Sequence, residues 1–253
     1  MGQQVTGESR RGVAIVTAMR IESLGLARAL EAGPWERRSR RGWHEGLFGH
    51  CPVVLATCGV GQRSAARWAQ VLLAEYEPRL VILTGAGGGV GPGVEIGDLV
   101  LGTCVLRLAR RQVAAQHWAD PRLLDLARAA AAGVRLQPVR GRQPRVVSGG
   151  VATSDRVFCD RLWGEELSRE HGVAAVEMEG AAIAAACETH GVPFLVVRAV
   201  SDMVGQRWQW LSMVRNLVSV QRNAERLVFH LVRCLDENPV DSPDSPIYNS
   251  PVS

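Results

Sequence analysis

Short apolar runs alternate with segments of helical periodicity along most of the chain. Seven runs carry apolar residues at consecutive positions, which is typical of strands buried on both faces. These predicted strands cover residues 13–17, 53–57, 80–84, 99–101, 145–148, 174–178 and 194–199. Strands of this kind need helices on both sides of their sheet, so the pattern predicts a layered α/β fold.

Six segments between these runs repeat apolar residues at helical spacing and predict helices. They cover residues 23–31, 62–75, 121–132, 161–171, 181–190 and 211–235. Gly133 and Gly191 follow two of them, and glycine commonly ends a helix. In an α/β sheet, ligands bind where loops leave the carboxyl ends of the strands. The residues that follow the predicted strands are therefore the candidates for chemistry.

The organisation of the chain indicates one domain between two polar tails. A length of 253 residues is enough for one large α/β domain with its own core. Residues 1–11 are polar, and residues 236–253 are rich in Pro, Ser, Asp and Asn, a composition that buries too little apolar area to order itself. We therefore expect the folded domain to span residues 12–235.

The composition excludes or disfavours several classes of function. Apolar residues make up 47% of the chain and charged residues 21%, as in an ordinary globular protein. The chain has arginine but no lysine, which excludes a lysine Schiff base and the lysine of a P-loop. The arginines are scattered instead of forming one stripe, and the net charge is +4, so nucleic-acid binding is disfavoured.

The cysteines and the N-terminus indicate a cytoplasmic protein without a metal site. The six cysteines lie far apart, with no CxxC pair and no histidine at metal-ligand spacing. We interpret them as reduced core residues, and we expect neither a metal nor an organic cofactor. The polar N-terminus and the short first apolar run indicate neither a signal peptide nor a membrane span.

A glycine-rich run, which includes Gly85, Gly87, Gly88 and Gly89, follows the third predicted strand. It lacks the GxGxxG spacing of a dinucleotide loop, and residues 94–99 after it resemble the approach to another strand instead of a helix. We interpret the run as a flexible backbone turn. Such a turn either lets a ligand approach exposed N–H groups or has only a structural role.

Acidic residues stand at the ends of two buried segments. Glu177 and Glu179 are two residues apart, a spacing that shares one face of a strand, and Asp202 ends a long apolar run with Ser201 beside it. A buried carboxylate is costly unless it is paired, hydrogen-bonded or protonated, so chemistry is the leading interpretation. The alternatives are surface or helix-start charges for the two glutamates, and a helix N-cap or a turn for Asp202. Glu22 follows the first strand, where a carboxylate is ordinary.

Taken together, these motifs resemble the nucleoside phosphorylase superfamily, most closely its 5′-methylthioadenosine/S-adenosylhomocysteine nucleosidases. The resemblance covers about residues 13–231. It implies a single three-layer α/β/α domain with a mixed, mostly parallel central sheet that works as a homodimer or a larger homo-oligomer. It also implies cleavage of a purine ribosyl N-glycosidic bond. The motifs that carry it are Ala18, Met19, Glu22; Gly59, Val60, Gly61; Thr84, Gly85 to Gly89, Gly97, Asp98; Val147, Ser148, Gly149; Glu177, Met178, Glu179; and Arg198, Ser201, Asp202.

The resemblance implies a role for each acid. Asp202 would protonate or hydrogen-bond purine N7 and Ser201 would orient it, which requires a pKa raised well above the solution value. Glu179 would hold the ribose hydroxyls and Met178 would pack against the sugar, while Glu22 would activate water. Further positions implied in substrate binding are Ala86, Gly87, Ala152, Thr153, Glu177 and Arg198, and the role of Glu177 stays open.

The choice between water and phosphate as nucleophile depends on two positions near the glycine run. Related hexameric phosphorylases carry an arginine and a serine there to bind phosphate, whereas this chain has Leu83 and Ala86. Loss of both removes the groups that phosphate needs most. Together with Glu22, this favours water as the nucleophile and predicts a hydrolase of an adenosine-type nucleoside.

The chain departs from the nucleosidase pattern after the Ser148–Gly149 pair. Those enzymes usually continue with Asp, Ala, Phe and Ile, in which the aromatic ring stacks on adenine, whereas residues 150–153 here are Gly, Val, Ala and Thr. Residues 153–157 are similar to the hopanoid-associated phosphorylase branch. Alternatives are therefore a phosphorylase or hydrolase of the hopanoid-associated or futalosine type, and a catalytically weak nucleoside-binding domain.

Overall fold

The computed structural model describes residues 11–30, 43–206 and 209–237. Residues 1–10 of the predicted N-terminal tail (1–11) and residues 238–253 of the predicted C-terminal tail (236–253) lie outside these ranges, as does the end of the first predicted helix at residue 31. Both predicted tail boundaries are wrong by one or two residues, because residue 11 begins a strand and residues 236 and 237 end a helix. Within the described ranges, no helix combines the length and the apolar character that crossing a bilayer requires.

The described residues form nine strands and six α-helices. The strands are β1 (Arg11–Thr17), β2 (Trp43–Phe48), β3 (Cys51–Thr57), β4 (Pro78–Gly89), β5 (Leu99–Ala109), β6 (Gln112–Trp118), β7 (Val146–Thr153), β8 (Val173–Glu177) and β9 (Phe194–Met203). The helices are α1 (Leu24–Ala29), α2 (Gln62–Glu75), α3 (Pro121–Gly133), α4 (Arg161–His171), α5 (Gly180–Thr189) and α6 (Gln209–Glu237), and a short 3-10 helix (Arg20–Ser23) precedes α1.

All nine strands join one mixed sheet. β1 pairs in parallel with β3 and β4, β4 with β9, and β7 with both β5 and β8. The antiparallel pairs are β2 with β3, β4 with β8, β5 with β6 and β5 with β9. The prediction of a mixed, mostly parallel sheet is therefore confirmed.

The side-chain period of two in a strand separates the core into layers on opposite faces of the sheet. In β1, Val13 and Ile15 pack in the layer that includes α3 and α6, whereas Ala14 and Val16 pack in the layer that includes α2. Both layers consist mainly of buried apolar side chains, as continuous apolar strands require. The three-layer arrangement is confirmed.

Two strands carry no apolar run and escape prediction. β2 is an edge strand of the sequence WHEGLF, and β6 alternates exposed with half-buried residues. β2 pairs with β3, and β6 pairs with β5, and both of these partner strands have a much stronger apolar pattern. A strand that buries only part of one face gives a weak local signal, because its partner supplies most of its stability.

The first part of the glycine run is not a turn, so the interpretation as a turn is wrong for residues 85–89, whereas residues 91–93 form a bend and a turn. Residues 85–89 are the last five residues of β4, between β8 and β9. Local propensity argues against glycine in a strand, but contacts with the neighbouring strands require it here. A Cβ on Gly89 would lie 2.7 Å from Met203 Sδ, and one on Gly87 would lie 3.0 Å from the Val176 carbonyl oxygen.

The six cysteines, all within the described residues, are free thiols. Four of them are buried, as expected for core residues: Cys51, Cys58, Cys104 and Cys187. The interpretation of all six as core residues is wrong for Cys159, which is exposed just before α4, whereas Cys234 is half-buried and packs against the core. Both stand beside polar residues in the sequence, where apolar burial is weakest.

Candidate active site

The carboxyl ends of β1, β8 and β9, together with the end of β4, surround a cleft of about 160 Å³. Eight of the eleven predicted site residues line this cleft: Glu22, Ala86, Gly87, Glu177, Met178, Glu179, Ser201 and Asp202. The other three, Ala152, Thr153 and Arg198, do not line it and are completely buried. Larger depressions of about 690 and 730 Å³ on other faces contain none of the predicted site residues.

Glu22 is held by main-chain N–H groups from two separate segments. Its Oε2 accepts hydrogen bonds from the N–H groups of Ala18, at 3.0 Å, and Met19, at 2.9 Å. Its Oε1 accepts one from the N–H of Ala86 in β4, also at 2.9 Å. The side chain is buried, and these three donors fix its direction. A fixed carboxylate with remaining lone pairs can accept a proton from a small molecule in the cleft.

Glu177 is fully engaged by protein donors. Its carboxylate accepts hydrogen bonds from the Thr153 hydroxyl, from Arg198 Nη2, and from the N–H groups of Glu179 and Gly180 at 2.9 and 2.8 Å. Glu179 is the N-cap of α5 and Gly180 is its first residue, so the helix-start interpretation holds for Glu177. Glu177 borders the cleft, but its carboxylate links β7, β9 and α5 beneath it.

Arg198 is the buried cation of the site. It is fully buried in β9 and makes an ion pair with Glu177, and its Nη2 lies 3.6 Å from Glu179 Oε2. A Cβ on Gly85 would lie 2.7 Å from both Arg198 Nη1 and Glu22 Oε1. The glycine therefore lets this cation and the Glu22 carboxylate approach the main chain of β4 together.

Glu179 has a carboxylate that titrates near neutral pH. Its Oε1 accepts a 2.7 Å hydrogen bond from the N–H of Gly61, just before α2. Burial, and then the negative charge of Glu177, raise the pKa of Glu179 to about 7, although Arg198 and the Gly61 hydrogen bond act in the opposite direction. Glu179 can therefore exchange a proton, or switch its hydrogen-bonding state, within the physiological range.

Ser201 and Asp202 sit at a β-bulge in β9. Gly87 of β4 pairs with Val200 and Gly88 with Asp202, so Ser201 is the additional residue. A bulge changes the direction of side chains beside a functional site. The Ser201 hydroxyl lies 2.6 Å from Asp202 Oδ1, and 3.3 Å from the Gly87 carbonyl oxygen.

Asp202 is a buried carboxyl group with few donors. Burial raises its pKa, which agrees in direction with the prediction, while hydrogen bonds from Ser201 and Gln209 lower it. Asp202 lies within β9, and the next helix, α6, begins only seven residues later at Gln209. The helix-capping alternative for Asp202 is therefore wrong, and its carboxyl group faces the cleft.

Comparison with known proteins gives the family of the chain. Residues 12–233 match the family model described as the phosphorylase superfamily. The chain belongs to this superfamily. The resemblance found in the sequence is therefore confirmed over nearly the whole described part of the chain.

Two proteins similar to this superfamily member are nucleosidases with the same name. It is 32% identical over 209 residues to a 5′-methylthioadenosine/S-adenosylhomocysteine nucleosidase from Chromohalobacter salexigens, covering 78% of this chain and 86% of the relative. A solved structure of the nucleosidase from Neisseria meningitidis, in complex with methylthio-immucillin-A, has a TM-score of 0.75 and 28% identity. It covers 87% of this chain and 98% of that one.

A second solved structure shows how widely this fold is shared. The futalosine hydrolase of Helicobacter pylori has a TM-score of 0.74, with coverage of 88% of this chain and 98% of that one. Its identity is 19%, so the likeness shows the fold alone.

Helix α6 of this superfamily member supplies contacts to the site that the sequence pattern does not predict. Asn216 Nδ2 donates a 2.8 Å hydrogen bond to the Ser201 carbonyl oxygen, and Gln221 Nε2 donates one of 2.6 Å to the Glu22 carbonyl oxygen. Both amides are at least nine-tenths buried. The available signal was the presence of amides on the apolar face of a long amphipathic helix, where a buried amide needs a partner.

The outer wall of the cleft was also missed, apart from Arg156, which lies in a polar loop (residues 154–156) that the sequence allows either to face a ligand or to cap the next helix. It comes from the loop between β7 and α4 and from the first turns of α6, namely Arg156, Val157, Phe158, Gln209, Met213 and Leu217. Arg156 and Val157 are exposed, whereas Phe158 is buried. These residues follow no strand end in the pattern, so the rule that located the acids could not locate them.

Proposed function

We propose that this phosphorylase-superfamily member is a purine nucleoside N-ribosylhydrolase. It releases the base from an adenosine-type nucleoside such as 5′-methylthioadenosine or S-adenosylhomocysteine, a reaction of nucleoside metabolism and methionine salvage. The observation that carries the proposal is that one cleft brings together Glu22, Glu179 and Asp202 from distant segments. The names of its relatives support the same substrate class.

The chemistry needs one group that supplies a proton and another that accepts one. When the bond between ribose C1′ and purine N9 breaks, the sugar becomes oxocarbenium-like and the purine carries the electron pair. Asp202, held by Ser201, donates its proton or a hydrogen bond to purine N7 and stabilises the leaving base. Its raised pKa supports this role because the carboxyl group must keep its proton near neutral pH.

In this proposal, Glu179 and Glu22 act at the ribose end of the cleft. Glu179 accepts hydrogen bonds from the ribose hydroxyls in its ionised form. Glu22 removes a proton from water while the water oxygen forms a bond to C1′, which yields the free sugar and the free base. Met178 packs against the ribose, and its place in the lining of the cleft supports this contact.

Water is the proposed nucleophile instead of phosphate. A phosphate ion needs a cation with free N–H groups, usually an arginine. Arg198 is fully buried and paired with Glu177, which supports its role in holding carboxylates instead of phosphate. Leu83 is also buried and supplies no donor.

We further propose a cytoplasmic homo-oligomer. The free thiols of all six cysteines support a reducing compartment. Large exposed apolar side chains support association with a second copy, among them Trp118 at 66% and Trp210 at 63% exposed. Light scattering coupled to size-exclusion chromatography tests the assembly, and a monomer at micromolar concentration would contradict it.

The function is tested with the purified full chain. It is incubated separately with methylthioadenosine, S-adenosylhomocysteine, futalosine and adenosine, with and without phosphate, and the base released is quantified by chromatography. We expect phosphate-independent release of adenine from the first two. Release that requires phosphate would instead support a phosphorylase, and release from futalosine alone would support that alternative. No release from any substrate would contradict the proposed function.

A further inference from the structure

This chain has Ala152 at the position where the resemblance to nucleosidases implies an aromatic residue that stacks on adenine. A base in a protein site gains much of its affinity by stacking on an aromatic face. Ala152 supplies no such face: it is completely buried and does not line the cleft. If the protein binds a purine, another side chain must cover the plane of the base.

Phe158 is the aromatic side chain among the described residues that line the cleft. It belongs to the loop between β7 and α4 and is 7% exposed. Its ring packs on Trp163, with ring centroids 5.1 Å apart and a 40° tilt, and its Cε1 lies close to Gly164 of α4. The ring is therefore supported from behind by α4.

The main chain of Phe158 is also fixed relative to the proposed acid. Gln209 Nε2 donates a 3.1 Å hydrogen bond to the Phe158 carbonyl oxygen, and Gln209 Oε1 accepts one of 3.0 Å from the N–H of Gly205. Gln209 thus ties the Phe158 loop to the turn that follows β9, three residues after Asp202.

Two valines place Phe158 and Asp202 at the same end of the cleft. Val204 approaches the Phe158 ring beside Gly164, and Val176 packs in the same apolar cluster as Phe158. A Cβ built on Gly88 would lie within 3.3 Å of three atoms: Val176 Cγ2, Val204 Cγ2 and Asp202 Oδ2. The aromatic ring and the carboxyl group therefore share one apolar wall.

We propose that Phe158 supplies the aromatic face on which the purine stacks, and that it is a specificity-determining residue of this site. Ala152 packs in the same cluster as Phe158, so its small side chain leaves room for the ring from the loop. The purine lies between this ring and the glycine backbone of β4, with N7 toward Asp202. This inference rests on the proposed function because it assumes a purine ligand.

The experiment measures binding of adenine, which requires no turnover. Isothermal titration calorimetry compares the wild-type protein with Phe158→Leu, which keeps an apolar side chain but removes the ring. Stacking on an aromatic side chain contributes 1–3 kcal/mol per base, so we expect adenine to bind roughly 5- to 150-fold more weakly to the variant. For the substrates that the wild-type protein cleaves, we expect Phe158→Leu to raise KM by a larger factor than it lowers kcat.

Phe229→Leu is the matched control. Phe229 is in α6 and packs edge-to-face on Phe48, with ring centroids 4.9 Å apart, away from the cleft. This variant loses a ring and some stability but keeps its affinity for adenine. Equal loss of affinity in both variants would attribute the effect of Phe158 to general destabilisation and would overturn the proposal.

A double variant, Phe158→Ala with Ala152→Phe, returns an aromatic ring to the same cluster from β7. If the double variant binds adenine more tightly than Phe158→Ala alone, an aromatic ring at position 152 can replace the one at position 158, which supports the proposal. Unchanged affinity of Phe158→Leu overturns the inference but leaves the proposed function standing. A wild-type protein that neither binds adenine nor releases it overturns both.

Discussion

The side-chain amide of Gln221 donates a 2.6 Å hydrogen bond to the main-chain carbonyl of Glu22, 199 residues earlier in the chain. Five residues before it in the same helix, Asn216 binds the carbonyl of Ser201 in the same way. One rigid element, α6, thus contacts the segment of the proposed base and the segment of the proposed acid. The helix therefore links the positions of the two groups that, in the proposed reaction, act on opposite sides of one bond.

Replacing Gln221 by Leu is expected to lower kcat more than it changes adenine affinity. The change removes the donor to Glu22 but leaves the purine end untouched. Displacement of a catalytic group by about 1 Å costs up to roughly 100-fold in rate, so we expect a 10- to 100-fold loss. Steady-state kinetics and adenine calorimetry measure the two effects separately.

Asn223→Leu provides the control on the same helix. Asn223 is also completely buried, but it hydrogen-bonds to the main chain of Gln137, away from the cleft. Its loss lowers the melting temperature and leaves kcat near the wild-type value. Parallel losses of kcat in the two variants would show that α6 acts only through global stability.

Replacing Asp202 by Asn is expected to reduce kcat/KM by ~100-fold or more, because the amide cannot transfer a proton to the leaving purine. The variant keeps the shape of the side chain and should still bind adenine. Ser201→Ala, which removes only the hydroxyl beside Asp202, should lose less activity. Near-normal turnover by Asp202→Asn would remove this residue from the role of acid.

The pH dependence of kcat/KM should contain a limb that belongs to Glu179. Burial beside Glu177 raises the pKa of Glu179 to about 7, and only the ionised carboxylate accepts hydrogen bonds from both ribose hydroxyls. We therefore expect kcat/KM to rise with pH through about 7. In Glu179→Gln this rising limb should be absent and KM higher; an unchanged limb would assign the titration to another group.

The same carboxyl group links protonation to folding. Glu179 binds its proton more tightly in the folded chain, with a pKa of about 7, than in the unfolded chain, with a pKa near 4.5. Its contribution to the free energy of unfolding is therefore largest below pH 4.5 and is lost as the pH rises through about 7. Urea denaturation at pH 5 and pH 8 should show a smaller difference in Glu179→Gln than in the wild type.

Replacing Gly85 by Ala should disrupt both activity and stability. The added Cβ would lie 2.7 Å from Arg198 Nη1 and Glu22 Oε1, so the buried cation and the base must move. Gly141→Ala is the control, since its φ is +77° but its Cβ meets nothing within 4 Å, and backbone strain alone costs about 1–2 kcal/mol. A similar melting temperature and kcat in both variants would contradict the steric argument.

The strong local patterns of the sequence correctly predicted most of the fold. Each of the seven predicted strands and six predicted helices has a counterpart, and α2 and α4 begin and end at the predicted residues. Their apolar faces are continuous, so the signal lies within each segment. β2 and β6 lie at the edges of the sheet and bury less surface, which leaves little pattern to detect.

Contacts between distant segments could not be predicted in the same way. The glycines of β4 have poor strand propensity, and only the side chains and carbonyls of β8 and β9 explain why no larger residue fits. The amides of α6 and the ring of Phe158 reach the cleft through packing, not through a motif. The acids were detectable because a carboxylate in an apolar run is locally anomalous.

The exposed thiol of Cys159 lies one residue beyond Phe158, on the loop that forms the outer wall of the cleft. Four of the other cysteines are buried and Cys234 is half-buried. A maleimide fluorophore should therefore attach at Cys159 first, in the unmodified protein. The chain thus carries its own labelling position for a real-time optical sensor of base binding and release.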